Sequence, residues 1–315
     1  MTSYADSIAY AVKNRDDDIR MASRSGGVFT AISDLVLDMG GVVYGVRLNE
    51  ELDAVHARAT TKEERDSFRG SKYVQSRVGT AYQDCREDLI RGLPVLFSGT
   101  PCQIDGLQHF LKSTKTPTDN LLTAEVLCHG VPSPRVYRDY LAYAGRKGKV
   151  TSIDFRDKKR FGWRDHVETV TVDGVERSSR QYTDLFFGHN TLRPSCFYCP
   201  YKQAERYADI TLGDYWGIDE LDKAFNDDRG VSLVLTSSEK GKEWLQKASP
   251  MLLIKEFPFV NSVQDVLRRN YRIPSSRAQF WKDYDTLPFA GIVKKYGVDR
   301  KKAMIRFVKK MLGRR

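Results

Sequence analysis

A chain of 315 residues with 41% apolar and 29% charged side chains has the make-up of a folded globular protein, which excludes a largely disordered chain and allows one large or two smaller domains. Basic residues outnumber acidic ones by 51 to 41, an excess that favours anionic partners such as flavin phosphates, acidic redox proteins, nucleic acid or lipid without choosing among them. Most of that surplus lies in residues 300–315, RKKAMIRFVKKMLGRR, which contain no acid.

The opening MTSYADSIAYAVKNRDDDIR lacks the apolar core of a secretory signal, and no apolar run approaches the roughly 20 residues of a membrane span. The expectation is a cytoplasmic protein. In such a reducing compartment Cys85, Cys102, Cys128, Cys196 and Cys199 point to metal or redox chemistry rather than disulfides, and the odd count fits four ligands and one bystander.

In chain order, Tyr10 to Val12 reads as a first strand, followed by a polar turn over 13–20. Ser25-Gly26-Gly27 then opens a helix with Phe29, Ile32, Leu35, Val36 and Met39 on one side, closed by Gly40-Gly41. A glycine turn at a helix start lets backbone amides approach phosphate or flavin oxygens closely; an ordinary helix cap accounts for the same residues. Strands follow at 42–46 and 54–59, and a short charged helix at 62–68. Arg69 to Ser76, RGSKYVQS, crowds hydrogen-bonding side chains around one glycine, as a cofactor-contact segment or a solvated loop would. The helix over 78–91 carries Cys85, read as a structural thiol.

Val95-Leu96-Phe97 is a buried strand, Ser98-Gly99-Thr100-Pro101 a tight turn, and 103–112 a helix, so Cys102 sits where a strand enters a helix. Free amides and a favourable dipole there suit a thiolate, an anion or a cluster sulfur. A second buried strand over 121–127 ends at Cys128-His129-Gly130, and parallel neighbours would bring Cys128 beside Cys102. After a helix at 135–144 and a strand at 150–155, the basic aromatic loop 156–164 is a solvated loop or a cover for an anionic ring. A hairpin turns at Asp173-Gly174. A helix over 183–191 delivers Cys196-Phe197-Tyr198-Cys199-Pro200, a rigid C-x-x-C turn. A strand over 208–212 leads to Gly213-Asp214-Tyr215-Trp216-Gly217, read as a cofactor wall or a plain turn. Strand 231–236 and helix 239–248 follow. Residues 249–290 show no clear periodicity, and 304–312 have one apolar helical face suited to an anionic membrane surface, an acidic partner or the chain's own domain.

Spacing leaves four readings of the cysteines open. A structural zinc, commonly held by two paired knuckles, would here join one C-x-x-C to two distant single cysteines. A Cys102–His129 thiol enzyme leaves Cys196 and Cys199 unused. A thioredoxin-like dithiol would come earlier, directly after a strand. A four-cysteine iron–sulfur cluster uses all four, each in a loop with Gly or Pro.

Taken together and in this order, SGGVFT, GGVVYGV, FRGSKYVQS, FSGTPCQIDGL, CHGVPSP, RPSCFYC and ADITLGDYWG resemble the coenzyme F420 hydrogenase/dehydrogenase beta-subunit family, which is similar in outline to the 7-hydroxymethyl chlorophyll a reductases. The resemblance spans residues 10–236. It implies an oxidoreductase with FAD and a 4Fe-4S cluster, passing electrons between an external carrier such as a ferredoxin and an organic substrate. Carried over by motif, Cys102, Cys128, Cys196 and Cys199 would be the cluster ligands. Ser25, Gly26 and Gly27, then Lys72, Tyr73, Gln75 and Ser76, with Ser98, Gly99 and Thr100, would line the flavin. Many members carry an N-terminal ferredoxin-like segment, whereas no cysteine precedes Cys85 here, so electrons are expected from a separate protein. Relatives beside surface-polysaccharide genes imply a sugar or lipid-linked substrate as readily as the deazaflavin coenzyme.

The expected architecture is α/β, a mixed β-sheet core with flanking helices and a C-terminal helical extension. A flavin-side region is expected over residues 1–84, a cluster-bearing core over 85–236 and the extension over 237–315. Nucleic acid is not an expected partner, because the excess charge sits in one tail; that tail is the candidate for peripheral membrane contact. The oligomeric state is left open. The competing class is a zinc-binding scaffold or interaction protein without redox activity.

Overall fold

The computed structural model describes residues 8–262 and 264–297; the basic segment 300–315 and its expected apolar face lie outside the described residues. Strand β1 (Ile8–Asn14) runs into helix α1 (Asp17–Ala22), whose start is capped by the Asp16 carboxylate accepting from the amides of Asp18 and Ile19. Helix α2 (Val28–Asp38), strands β2 (Val42–Leu48) and β3 (Ala54–Ala59), and helices α3 (Lys62–Asp66) and α4 (Ala81–Ile90) follow. Next come β4 (Val95–Gly99), α5 (Pro101–Ser113), β5 (Leu121–Val126), α6 (Pro134–Ala144), β6 (Val150–Asp154) and α7 (Lys158–Phe161). Strands β7 (Glu168–Val172) and β8 (Val175–Ser179) form the expected hairpin, with Asp173 (φ 47°) and Gly174 (φ 78°) both left-handed, as a tight two-residue turn requires. Then come α8 (Gln181–Phe187), β9 (Ile210–Asp214), α9 (Ile218–Leu221), β10 (Ser232–Thr236), α10 (Glu239–Lys247), β11 (Leu252–Pro258), α11 (Arg277–Thr286) and α12 (Phe289–Tyr296).

One eight-stranded sheet, in the order β11-β1-β10-β9-β5-β4-β2-β3, organises the chain. Its centre is parallel: β2 pairs with β4, β4 with β5 and β5 with β9, while β3, β10, β1 and β11 join antiparallel. The expected α/β mixed sheet is therefore present, with strands from all three expected regions in it. Because the central strands are covered on both faces, they read as near-continuous apolar runs. Leu96, Leu122 and Ile210 pack under α2 and α10, whereas Val95, Phe97 and Leu121 pack under α4 and α5. Cys85 of α4 belongs to that second layer, and burial pushes its thiol up to about 12. It is the inert structural thiol expected.

The smaller sheet β6-β7-β8 packs with α6 and Val46, Leu48 and Ala54 of the main sheet. Helices α11 and α12 close against α6 and α8 through Phe280, Ile292, Val293 and Leu185. Residues 249–290 thus contain an edge strand and a helix that the sequence pattern did not reveal. Helix α8 also ends earlier than expected, where His189 turns left-handed at φ 61°.

Candidate functional site

A cavity of about 840 Å³ opens at the carboxyl ends of the parallel strands, the place where open α/β sheets receive ligands. Strand β4 stops at Gly99, and Thr100 becomes the N-cap of α5, its amide donating to Gln103 Oε1 at 3.0 Å. Pro101 fills the first helical position, where a missing N–H costs nothing. Cys102 is thereby exposed on the first turn of a thirteen-residue helix, 3.2 Å from Thr100 Oγ1.

Glu125, near the end of β5, lies beside Gly99 in parallel register, so Cys128 leaves the sheet next to Cys102. Two backbone bonds clasp the Cys128 loop to the segment before the C-x-x-C turn: Arg193 N donates to Val131 O at 2.9 Å and Ser133 N to Thr191 O at 2.8 Å. A Cβ built on Gly130, which holds φ 129°, would lie 3.5 Å from the Cys196 Cβ. A 3-10 turn over Pro194–Tyr198 carries Cys196 and ends at Cys199, whose amide donates to Asn270 Oδ1 at 3.1 Å.

Burial pushes the Cys128 thiol up to about 12, and the neighbouring Cys102 and Cys196 push it the same way. Cys199 is raised by burial and by Cys102 and Cys196 as well, with the Lys202 ammonium opposing. Cys128 and Cys199 thus each lie within electrostatic reach of Cys102 and Cys196, and the buried Lys202 ammonium feels Cys128, Cys196 and Cys199. Among the described residues no three His, Cys, Asp or Glu side chains close around a single metal ion. Four soft thiols suit a thiolate-ligated centre, the donor chemistry taken by an iron–sulfur cluster or by zinc.

The other end of the cavity is built on α2. Ser25 Oγ donates to Val231 O at 2.7 Å, and the Gly26 amide donates to Ser232 Oγ at 2.9 Å. A Cβ on Gly26 would fall 2.1 Å from Val12 O, which fixes that position as glycine. Gly27, at φ 83°, is the N-cap; no side chain caps α2 and no acid stands in its first turn, so its amides and positive dipole end stay available to an anion. Arg24 borders the same space. Its Nη2 donates to Asp154 Oδ1 at 3.0 Å, while its Nε and Nη1 are buried without a partner. Desolvation lowers its pKa, opposed by Asp154. Orphaned guanidinium donors beside an uncapped helix start fit a phosphate-bearing cofactor.

The 69–76 loop lies between these ends. Lys72 lines the cavity, but its ammonium donates to the carbonyls of Ser67, Phe68 and Arg69 at 3.1, 3.1 and 2.8 Å, which makes it a brace for the loop. Tyr73 stacks on Phe186 at 5.0 Å, and Gln75 Oε1 accepts from Arg193 Nη1 at 3.0 Å. Ser76 Oγ accepts from Gln103 Nε2 at 2.9 Å and contacts His56 Nδ1 at 3.2 Å, while His56 Nε2 reaches Ser98 O at 3.3 Å. Burial lowers His56 to about 4, so the ring joins this network neutral. Ser98 Oγ donates to Tyr44 O at 2.9 Å. Ser25, Gly27, Lys72, Tyr73, Gln75, Ser76, Ser98, Gly99, Thr100, Cys102, Cys128 and Cys196 all border the cavity; Gly26 and Cys199 stand behind that lining.

The third wall was only partly legible. Gly213 and Asp214 belong to β9 rather than to a turn after it. Asp214 accepts from Arg156 Nη1 at 2.5 Å and from Trp163 Nε1 at 2.6 Å. Trp163 stacks on the part-exposed Trp216 at 4.9 Å. The basic loop 156–164 is divided: Lys159, Arg160, Phe161 and Arg164 are exposed, whereas Arg156, Lys158 and Trp163 are buried, and Lys158 Nζ donates to the carbonyls of Arg20, Ser25 and Arg229. Near the cysteines, His129 meets His189 (Nε2 to Nε2, 2.8 Å) and Tyr271 (Nδ1 to Oη, 2.8 Å), and its carbonyl accepts from Lys202 Nζ at 2.9 Å. Arg24, His56, Lys202 and Tyr271 were not singled out from the sequence. Their roles come from distant partners, and only the SGG turn beside Arg24 carried a local signal.

Comparison with protein-family models finds two matches, both to the beta subunit of coenzyme F420 hydrogenase/dehydrogenase. The model of its N-terminal part covers residues 9–82, and the model of its C terminus covers residues 93–260, more than half of the chain. No curated protein matches the sequence. Among solved structures, a chain of the F420-reducing [NiFe] hydrogenase complex from Methanosarcina barkeri, determined in a xenon-derivatization study, is similar with a TM-score of 0.57 and 17% identity. The match covers 98% of this chain and 94% of that one, and at that identity it speaks to the fold.

Proposed function

Because the chain belongs to the coenzyme F420 hydrogenase/dehydrogenase beta-subunit family and is an oxidoreductase of that family, we propose that it passes electrons between an external carrier protein and an organic substrate, using FAD in the 840 Å³ cavity and a 4Fe-4S cluster on Cys102, Cys128, Cys196 and Cys199. The observation that carries this reading is that one cavity is bordered by Cys102, Cys128 and Cys196, whose C-x-x-C partner is Cys199, and by an uncapped helix start flanked by the unpartnered Arg24 donors. When bound, the flavin supplies hydride transfer and the cluster single-electron transfer. Every other task falls to the chain.

Arg24 and the first amides of α2 neutralise the cofactor's phosphates. Gln103, Ser76 and His56 lock the turn that carries Thr100 and Cys102 to the loop bearing Gln75. Lys202 offsets negative charge on Cys128, Cys196 and Cys199, and Phe186, Phe187 and Tyr271 pack around His129 beside Cys128. Trp216, backed by Trp163, offers a flat wall for a planar substrate such as a deazaflavin.

Anaerobic purification followed by iron, acid-labile sulfide, zinc and flavin analysis tests the reading. About four irons and one FAD per chain are expected. Stoichiometric zinc without flavin would overturn it in favour of a scaffold role.

A further inference from the structure

The C-x-x-C loop presents an outward face as well as an inward one. Tyr198, between Cys196 and Cys199, is 75% exposed. Segment 268–277 is laid directly against this loop: Asn270 Oδ1 accepts the Cys199 amide at 3.1 Å, Tyr271 Oη meets His129 Nδ1 at 2.8 Å, and the Arg277 guanidinium lies 5.1 Å from the Phe197 ring centre. All the charged residues exposed on that segment are cationic. Arg268, Arg269 and Arg272 are exposed, and Ile273 is 48% exposed beside them.

Arg269 pairs with Asp265 at 3.2 Å on the open surface, where screening leaves such a pair weak. Among the described residues Arg268 and Arg272 have no carboxylate partner. An exposed aromatic ring on the C-x-x-C turn, and an exposed isoleucine with three guanidiniums on the segment tied to that turn through Asn270, supply the apolar and charged parts of a small transient interface. Resting on the functional reading above, we propose that Tyr198, Arg268, Arg269, Arg272 and Ile273 form the docking face for an acidic electron-carrier protein.

Charge decides the sign of the partner, and position decides its kind. Unpaired arginines steer an acidic surface towards themselves and set the register of the encounter. A lipid surface or nucleic acid would accept basic residues anywhere on the molecule. These stand on the segment whose Asn270 holds the Cys199 amide, and Tyr198 separates the two cysteines of that turn, so a carrier seated here meets the loop that bears the thiols.

The test uses the full chain, purified anaerobically with its cofactors, and a small acidic ferredoxin as the probe. Binding is measured by calorimetry at low and at physiological ionic strength. For the double variant Arg268→Glu/Arg272→Glu, at least about tenfold weaker binding and a flatter salt dependence are expected, with iron and flavin contents unchanged. Tyr198→Ala is expected to weaken binding while leaving the salt dependence intact. Unaltered affinity in a loaded double variant overturns the docking face alone. Wild-type binding to phosphatidylglycerol vesicles but not to ferredoxin, lost in the same variant, overturns it in favour of a lipid surface. A chain that holds neither iron nor flavin fails the functional reading and the docking face together.

Discussion

Arg156 and Asp214 meet in a buried ion pair, Nη1 to Oδ2 at 2.5 Å, while the other carboxylate oxygen accepts from Trp163 Nε1. Fifty-eight residues of chain separate the partners, and the pair fastens the loop before α7 to the end of β9. Trp216, stacked on Trp163 and 4.9 Å from the Arg156 guanidinium, owes its place in the cavity wall to this junction.

Removing one member strands the other. Asp214→Asn is expected to destabilise the fold by about 3–5 kcal/mol, the usual cost of leaving a buried charge unpaired. Urea unfolding midpoints measure it. Adding Arg156→Met to the same chain is expected to cost less than the sum of the single changes, because the two residues share one interaction.

Arg24 places two unpartnered nitrogens beside the α2 start. Replacing it by Gln removes charge-assisted hydrogen bonds worth about 1.5–3 kcal/mol. Fluorescence titration of deflavinated Arg24→Gln is expected to show FAD affinity lowered roughly 10- to 100-fold, with iron content unchanged. Equal affinity would remove Arg24 from the cofactor site.

Cys102 is exposed and packs little, so Cys102→Ser is expected to change stability by no more than about 0.5 kcal/mol. Iron content is expected to fall sharply while the circular dichroism spectrum stays native. Unchanged iron would strike Cys102 from the ligand set.

Burial tends to raise the Asp227 carboxyl, but the Arg20 guanidinium that grips it wins and holds it at about 2. An unfolded aspartate titrates near ~3.9, so between these values the unfolded chain binds more protons and stability rises with pH. The contribution is complete above about pH 4 and is lost as pH falls through about 2. Denaturant midpoints measured across that window are expected to drop less steeply for Asp227→Asn than for the wild type.

Local signals carried much of the fold. The apolar runs of β4 and β5, the Asp173-Gly174 turn and the helix after Thr100-Pro101 were legible because each depends on neighbours in sequence. Strand β11 was not: its residues alternate poorly between buried and exposed, and it is held as an edge by pairing with β1. Basic residues such as those of loop 156–164 are usually exposed, as Lys159, Arg160 and Arg164 are, and only the distant Asp214 and the carbonyls around Lys158 explain why Arg156 and Lys158 are buried. The motif order brought the four cysteines together on paper. Lys72 illustrates the opposite limit, since a lysine in a promising loop turned out to be tied to that loop's own backbone.

Strand β1 lies between β10 and β11, so the first strand of the chain acquires neither of its neighbours until some 220 residues later. On the ribosome, by contrast, β4, α5 and β5 form a local unit that can pair as soon as residue 126 has emerged. The Ser25-Gly26-Gly27 turn, tied to Val231 and Ser232, must wait for the late strands. Synthesis therefore sets an order of maturation: Cys102 and Cys128 come side by side early, the C-x-x-C loop joins them, and the α2 end of the cavity closes last, after the slow long-range pairing of β1.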